Sequence, residues 1–220
     1  MPVENCIQSS PQQTQLNFQL FLPHDYLVHD DSNYPLFLFL HGAKKRGEDI
    51  HKLDGYGMNR IAENNQEFPY IVLTPQCPAD SDWITEFDTV MALVDETVTK
   101  YRVDSKRIYV TGFSMGGNGA WHYASKMPGL FAAAVPLSGW YDPDRARTLM
   151  DMPVWAFHCV DDDVVSCSGT EEMVEALTIA GGKVKATYYT GLKHDHQVMY
   201  ETYNNPDLHA WLAKQTRNHL

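Results

Sequence analysis

The chain has 220 residues, 44% of them hydrophobic, with a net charge of −11 at pH 7. This size and composition suit a single domain spanning residues 1–220 with a sizeable core. The acidic balance argues against nucleic acid or an anionic membrane as partner, since both are held by basic surfaces. No apolar run approaches the roughly 20 residues needed to span a bilayer, and Met1-Pro2-Val3-Glu4-Asn5 has neither the basic nor the apolar region of a secretory signal. A cytoplasmic location is expected, although a secreted form relieved of its signal would begin in the same way. Cys6, Cys77, Cys159 and Cys167 show no paired or zinc-ligand spacing and are expected as buried or free thiols.

Strand-like and helix-like segments alternate along the chain, which predicts an α/β fold with a mostly parallel central sheet and helices on both faces. From Thr14 to Leu22, the apolar residues Leu16, Phe18, Leu20 and Leu22 recur every second position, as in a half-buried edge strand. Leu36 to Leu40 is continuously apolar, as a strand covered on both faces should be, and Tyr70 to Thr74 is a further strand. Thr85 and Asp88 read as a capping box opening a helix to about Tyr101. Arg107 to Thr111 is the next strand, followed by a glycine-rich turn and a helix to about Met127. Phe131 to Leu137 and Val154 to His158 are two more strands. Ser168 and Glu171 read as the cap of another helix, which Gly181-Gly182 ends. Val184 to Thr190 is the last strand, and a final helix carries Leu208, Trp211 and Leu212.

Gly112-Phe113-Ser114-Met115-Gly116 fits G-x-S-x-G between a strand and a helix. A turn this sharp forces the serine into a strained backbone conformation, and the glycines let strand and helix approach closely. The serine is then presented at the carboxyl edge of the sheet as a nucleophile. An acyl-transfer site also needs two N–H donors for the developing oxyanion. The amide of Met115 supplies one, and that of Ala43, in the loop Leu40-His41-Gly42-Ala43, is expected to supply the other. His41 is read as shaping that loop rather than transferring protons. A serine hydroxyl needs a base to remove its proton, and the base needs a carboxylate to fix its tautomer. With the order nucleophile, acid, histidine, the acid falls among Asp161, Asp162 and Asp163. The histidine falls in Gly191-Leu192-Lys193-His194, with His196 two residues on. Three adjacent carboxylates would repel if all were buried, so one is expected to turn inward.

Several segments together resemble the α/β-hydrolase superfamily, in its lid-less branch of small carboxylesterases, dienelactone-hydrolase-like enzymes and predicted peptidases. They are Leu38 to Ala43 with Arg46-Gly47-Glu48-Asp49, Pro75-Gln76-Cys77-Pro78, Asp104 to Gly117, and His158 to Val165. In that family the acid stands four residues after the histidine of a strand-end His-Gly, which implies Asp162. Here Cys159 replaces the glycine, and Ser166 stands where a proline is common. The family's Gly-x-x-His pattern implies His194 rather than His196. The resemblance implies a Ser114–Asp162–His194 triad without cofactor or metal, acting on a small-molecule ester.

Only about fifteen residues separate Ser138 from Met152, which leaves no room for a large lid and predicts an open site. Trp140 and Trp83 are candidates for an apolar substrate pocket near the sheet edge, with core or loop packing the alternative for each. His194-Asp195-His196 beside the aspartates is poor ground for a metal site. The expected activity is ester hydrolysis through an acyl-serine intermediate. The alternatives are amide cleavage on the same triad and a non-catalytic binding protein of the same fold.

Overall fold

The computed structural model describes residues 3–8, 15–28 and 31–217. In chain order its strands and α-helices are β1 (Glu4–Ile7), β2 (Asn17–Phe21), β3 (Tyr34–Leu40), α1 (Gly57–Asn64), β4 (Ile71–Pro75), α2 (Phe87–Lys100), β5 (Val103–Phe113), α3 (Met115–Lys126), β6 (Ala133–Leu137), β7 (Val154–Cys159), α4 (Ser168–Ile179), β8 (Val184–Tyr189), α5 (Gln197–Tyr203) and α6 (Pro206–Leu212). The strands form one sheet in the order β1-β2-β4-β3-β5-β6-β7-β8. It is parallel from β4 to β8, with β1 and β2 joined antiparallel at one end.

The period-2 geometry of a strand sends alternate side chains to opposite faces, and the core divides accordingly. Leu36, Leu38 and Leu40 of β3 pack with Val90 and Leu93 of α2, Ala120 and Trp121 of α3, and Met173 and Leu177 of α4. Phe37 and Phe39 pack on the other face with Met58 and Ile61 of α1, Val198 and Tyr203 of α5, and Leu208 of α6. This is why the continuously apolar segment takes a central position. Each of these large side chains contributes about 1.5–3 kcal/mol by leaving water.

Several expectations are corrected. β2 is not the sheet edge, because β1 pairs outside it with Glu4 opposite Leu20. Nor is it half-buried: Phe21 and Gln19 on its second face are covered too, and the Gln19 carboxamide is satisfied by Asn59 of α1 and by Asp54. Thr14, the expected start of this strand, lies outside the described residues. The helix expected from Thr85 begins at Phe87 without a side-chain cap. Asp82 instead accepts the N–H groups of Ile84 and Thr85 in the turn before it. Ser168 does not cap α4, whose preceding residue is Cys167; the Ser168 N–H bonds to the Ser166 hydroxyl. Gly181 does end that helix region, with φ of 80°. β1, α1 and α5 were not anticipated. Each is short, and tertiary contacts rather than local preference hold such elements. All four cysteines are free thiols, and burial pushes Cys77 up to about 12. No helix among the described residues is long and apolar enough to cross a membrane.

Candidate active site

Ser114 is the single residue between β5 and α3, and its backbone sits at φ 60°, ψ −119°. Such a conformation costs a residue other than glycine on the order of 1–3 kcal/mol. The surroundings enforce it: the Ser114 N–H donates to the Leu137 carbonyl of β6 at 3.0 Å, and the Asn118 N–H of α3 donates to the Ser114 carbonyl at 3.1 Å. The strand and helix can meet this closely only because side chains are missing. A Cβ on Gly116 would overlap the Leu40 backbone carbonyl, and one on Gly112 would overlap the backbone of Gly116. Because the obstacle is backbone in a fully paired strand, Gly116→Ala is expected to cost about 3 kcal/mol of stability, at the upper end for overpacking. Chemical denaturation would read this, and an unchanged midpoint would count against the tight crossing.

Ser114 Oγ lies 2.9 Å from His194 Nε2, and His194 Nδ1 lies 2.7 Å from Asp162 Oδ2. The carboxylate can only accept, so Nδ1 carries the hydrogen and Nε2 is left to accept from the serine hydroxyl. The histidine comes from the loop after β8, where Gly191 and Lys193 both have positive φ. The Phe113 ring stacks on the imidazole at 4.8 Å between centroids, with 28° between planes. The Asp162 side chain is wholly buried, and its Oδ1 accepts the N–H groups of Val164 at 3.0 Å and Val165 at 2.8 Å. Burial alone would raise its pKa. The His194 bond and the two backbone donors outweigh that and hold the carboxyl below the usual range.

The other two aspartates face different tasks. Asp161 accepts the Gly191 N–H at 2.8 Å and the Cys159 thiol at 2.9 Å, tying the turn after β7 to the loop that bears the histidine. The Leu192 N–H completes this tie by donating to Cys159 Sγ at 3.3 Å. Asp163 points outward, 3.7 Å from the exposed Lys193 ammonium. His196 is exposed, with its ring edge against Tyr56, and does not join the Ser114–His194–Asp162 chain of contacts.

Ala43 and Met115 line the same cleft as Ser114. Each opens a helical segment, the 3-10 turn Ala43–Lys45 and α3 respectively, where amides lack a partner within the helix. The loop before Ala43 is built on buried His41, whose Nδ1–H donates to the Gly42 carbonyl at 2.9 Å while its Nε2 accepts the Cys77 N–H at 3.0 Å. Burial pushes His41 down to about 4, so this ring is neutral and has no free nitrogen. Trp83 is buried behind that loop, donating its indole N–H to the His41 carbonyl at 2.8 Å. It does not reach the cleft.

The cleft has a volume of about 1040 Å³. Its apolar wall comprises Trp140, Ile84, Val164 and Met115, and Asn118, Asp82, Asp142 and Ser166 add polar groups. Trp140 is 50% exposed; its backbone N–H donates to Asn118 Oδ1 at 2.7 Å, and its Cβ lies against Gly169 of α4. Between β6 and β7 the chain forms only the 3-10 segment Pro143–Leu149, and no lid domain is inserted there. Among the described residues, no three His, Cys, Asp or Glu side chains gather as a metal site. Phe113 and Asn118, for which the sequence predicts no role in the site, act there on His194 and Trp140, across segments distant in sequence.

The sequence matches the phospholipase/carboxylesterase family model over residues 54–202. It is 23% identical over 192 residues to the bifunctional acetylxylan esterase/xylanase XynS20E of Neocallimastix patriciarum, covering 81% of this chain and 26% of that protein. The chain thus spans about a quarter of the length of this curated relative. Among solved structures, a thermostable esterase superposes with a TM-score of 0.84 at 32% identity, over 98% of this chain and 63% of that one. A ferulic acid esterase superposes with a TM-score of 0.73 at 20% identity, over 91% of this chain and 94% of that one, a likeness of fold. With a sheet, helices and elbow of this kind and a family match over more than half its length, the chain has the α/β-hydrolase fold and belongs to the phospholipase/carboxylesterase family.

Proposed function

We propose that this chain hydrolyses small-molecule carboxylic esters through an acyl intermediate on Ser114, with His194 as the general base and acid and Asp162 as its carboxylate partner. The observation that carries this reading is the continuous run of contacts Asp162–His194–Ser114, at 2.7 and 2.9 Å, opening onto the cleft. Ser114 Oγ attacks the ester carbonyl as its proton passes to His194 Nε2. The carbonyl oxygen becomes an oxyanion that accepts from the Ala43 and Met115 amides, each such donor contributing about 3–4 kcal/mol to the barrier. The intermediate collapses, the C–O bond to the alcohol breaks, and His194 returns its proton to the departing oxygen. Water then enters, gives a proton to His194 and attacks the acyl carbon, and the proton moves on to Ser114 Oγ as the acid leaves.

The cleft supports an uncharged substrate with an apolar or ring-shaped part laid on Trp140, because among the described residues no lysine or arginine lines it to pair with an anion. The acetylxylan esterase relative favours acetylated carbohydrate as one such class. Trp140→Ala is expected to raise KM for an aryl or sugar acetate about tenfold, equivalent to about 1.4 kcal/mol, with kcat within about twofold. A change confined to kcat would place the ring outside substrate contact.

The reading as a whole is tested by a fluorophosphonate probe and by turnover of 4-nitrophenyl acetate. Stoichiometric labelling at Ser114, with hydrolysis faster for the ester than for the matching anilide, is expected. A folded protein that neither labels nor turns over the ester would be a binding protein of this fold, and preference for the anilide would make it an amidase.

A further inference from the structure

Behind the Asp162 carboxylate lies a second histidine that the proposed reaction does not use. His158, in β7, is wholly buried, and its Nε2 sits 3.4 Å from Asp162 Oδ2, the oxygen that also faces His194. The same Nε2 is 3.0 Å from the Val165 carbonyl. Both neighbours are acceptors, so Nε2 carries the hydrogen. The other ring nitrogen, Nδ1, is 2.7 Å from Thr170 Oγ1, which also lies 2.8 Å from the Gly139 carbonyl, and the one hydroxyl hydrogen serves one of the two at a time.

These contacts make His158 the point where three segments meet. One is the turn 160–165, whose Val164 and Val165 amides hold Asp162 Oδ1. The second is the first turn of α4, through Thr170. The third is the loop after β6, where Gly139 precedes Trp140 of the cleft wall and packs against Gly117 behind the elbow. The Val164 and Val165 amides fix one carboxylate oxygen. They fix the other only if the turn cannot tilt, and the His158 bond to the Val165 carbonyl resists that tilt. We infer that His158 is a positioning residue for the acid of the triad, holding the Asp162 turn by its Nε2–H so that Oδ2 is aimed at His194. Burial opposes a charge on this ring and lowers its basicity, while the Val165 carbonyl and the Asp162 carboxylate act the other way.

This inference rests on Asp162 being the acid of the proposed reaction, and the experiment separates the two. His158→Leu, His158→Gln and Thr170→Val are made alone and in the Asp162→Asn background, with kcat, KM and melting temperature measured on a neutral aryl acetate. Misplacing a reacting group by about 1 Å can cost on the order of 10²-fold, so His158→Leu is expected to lower kcat about 100-fold with KM within about twofold. Glutamine can place an N–H near the position of Nε2, and His158→Gln is expected to recover about tenfold of that loss. Thr170→Val, which frees Nδ1, is expected to lower kcat about tenfold. In the Asp162→Asn background each substitution should cost less than about threefold, because its effect passes through the carboxylate. Equal losses with and without Asp162, or a glutamine variant no faster than the leucine one, would overturn the inference and leave His158 a core residue. If His158→Leu does not fold, the glutamine and valine variants decide by the same coupling. An unchanged kcat in Asp162→Asn alone would instead remove Asp162 from the triad.

Discussion

Replacing Ser114 with alanine is expected to lower kcat for an aryl acetate about 10⁶-fold, the scale found when a serine nucleophile of a triad is removed. The substitution leaves the frame intact. The bonds from the Ser114 N–H to Leu137 and from the Asn118 N–H to the Ser114 carbonyl are backbone contacts that alanine keeps. Alanine also inherits the same strained φ of 60°, so melting temperature should change little. What disappears is Oγ, and with it the 2.9 Å contact to His194 Nε2. Without that atom no acyl-enzyme can form, and fluorophosphonate labelling should vanish together with turnover. Residual catalysis would come from water activated by His194 within an otherwise formed site. Activity above about 1% of the parent, from protein purified free of other esterases, would exclude Ser114 as the nucleophile.

The second large effect separates three neighbouring aspartates. Asp162→Asn is expected to reduce kcat by about 10⁴-fold, the scale of this change in a serine triad. The asparagine carbonyl can still accept from Val164 and Val165, which turns its NH₂ toward His194. Nδ1 must then accept, the ring hydrogen moves to Nε2, and the nitrogen facing Ser114 loses the lone pair it needs as a base. Asp163→Asn should stay within about twofold of the parent, because its partner is an exposed lysine 3.7 Å away and such surface pairs contribute about 0–1 kcal/mol. Asp161→Asn should lie between them and nearer the parent, since an amide oxygen can still accept the Gly191 N–H. Steady-state kinetics on the three variants checks the order, and a larger loss at Asp161 or Asp163 than at Asp162 would reassign the acid.

The elbow was legible because its requirements are local. A strand, a residue forced to positive φ and glycines on either side of it are neighbours in sequence, and the backbone overlaps at Gly112 and Gly116 follow from that one turn. The central strand was legible for a similar reason, since Leu36 to Leu40 could only sit where both faces are covered. The helix caps were not. Thr85 and Asp88 fit the capping spacing, yet the Ile84 and Thr85 amides bond to Asp82 in a turn that precedes the helix, which starts at Phe87 without a side-chain cap. Nor were α1 and α5, whose buried residues earn helical order by packing on Phe39 and its neighbours.

Trp83 and Trp140 show the same division in the site. Sequence order places both after strands that end at one edge of the sheet, and nothing local distinguishes them. The contact of Trp83 with the His41 carbonyl draws it into the core, whereas Asn118 and Gly169 hold Trp140 at the cleft. By itself the amino-acid sequence determined the alternation of strands and helices and the serine at the elbow, which depend on periodicity and on contacts within a few residues. The residues' own pattern left three carboxylates open and the family resemblance pointed to Asp162; only the tertiary structure brought Asp162 against His194, set Trp140 at the cleft and placed the buried His158 behind Asp162. Those outcomes depend on segments far apart in sequence, brought within hydrogen-bond distance by the sheet.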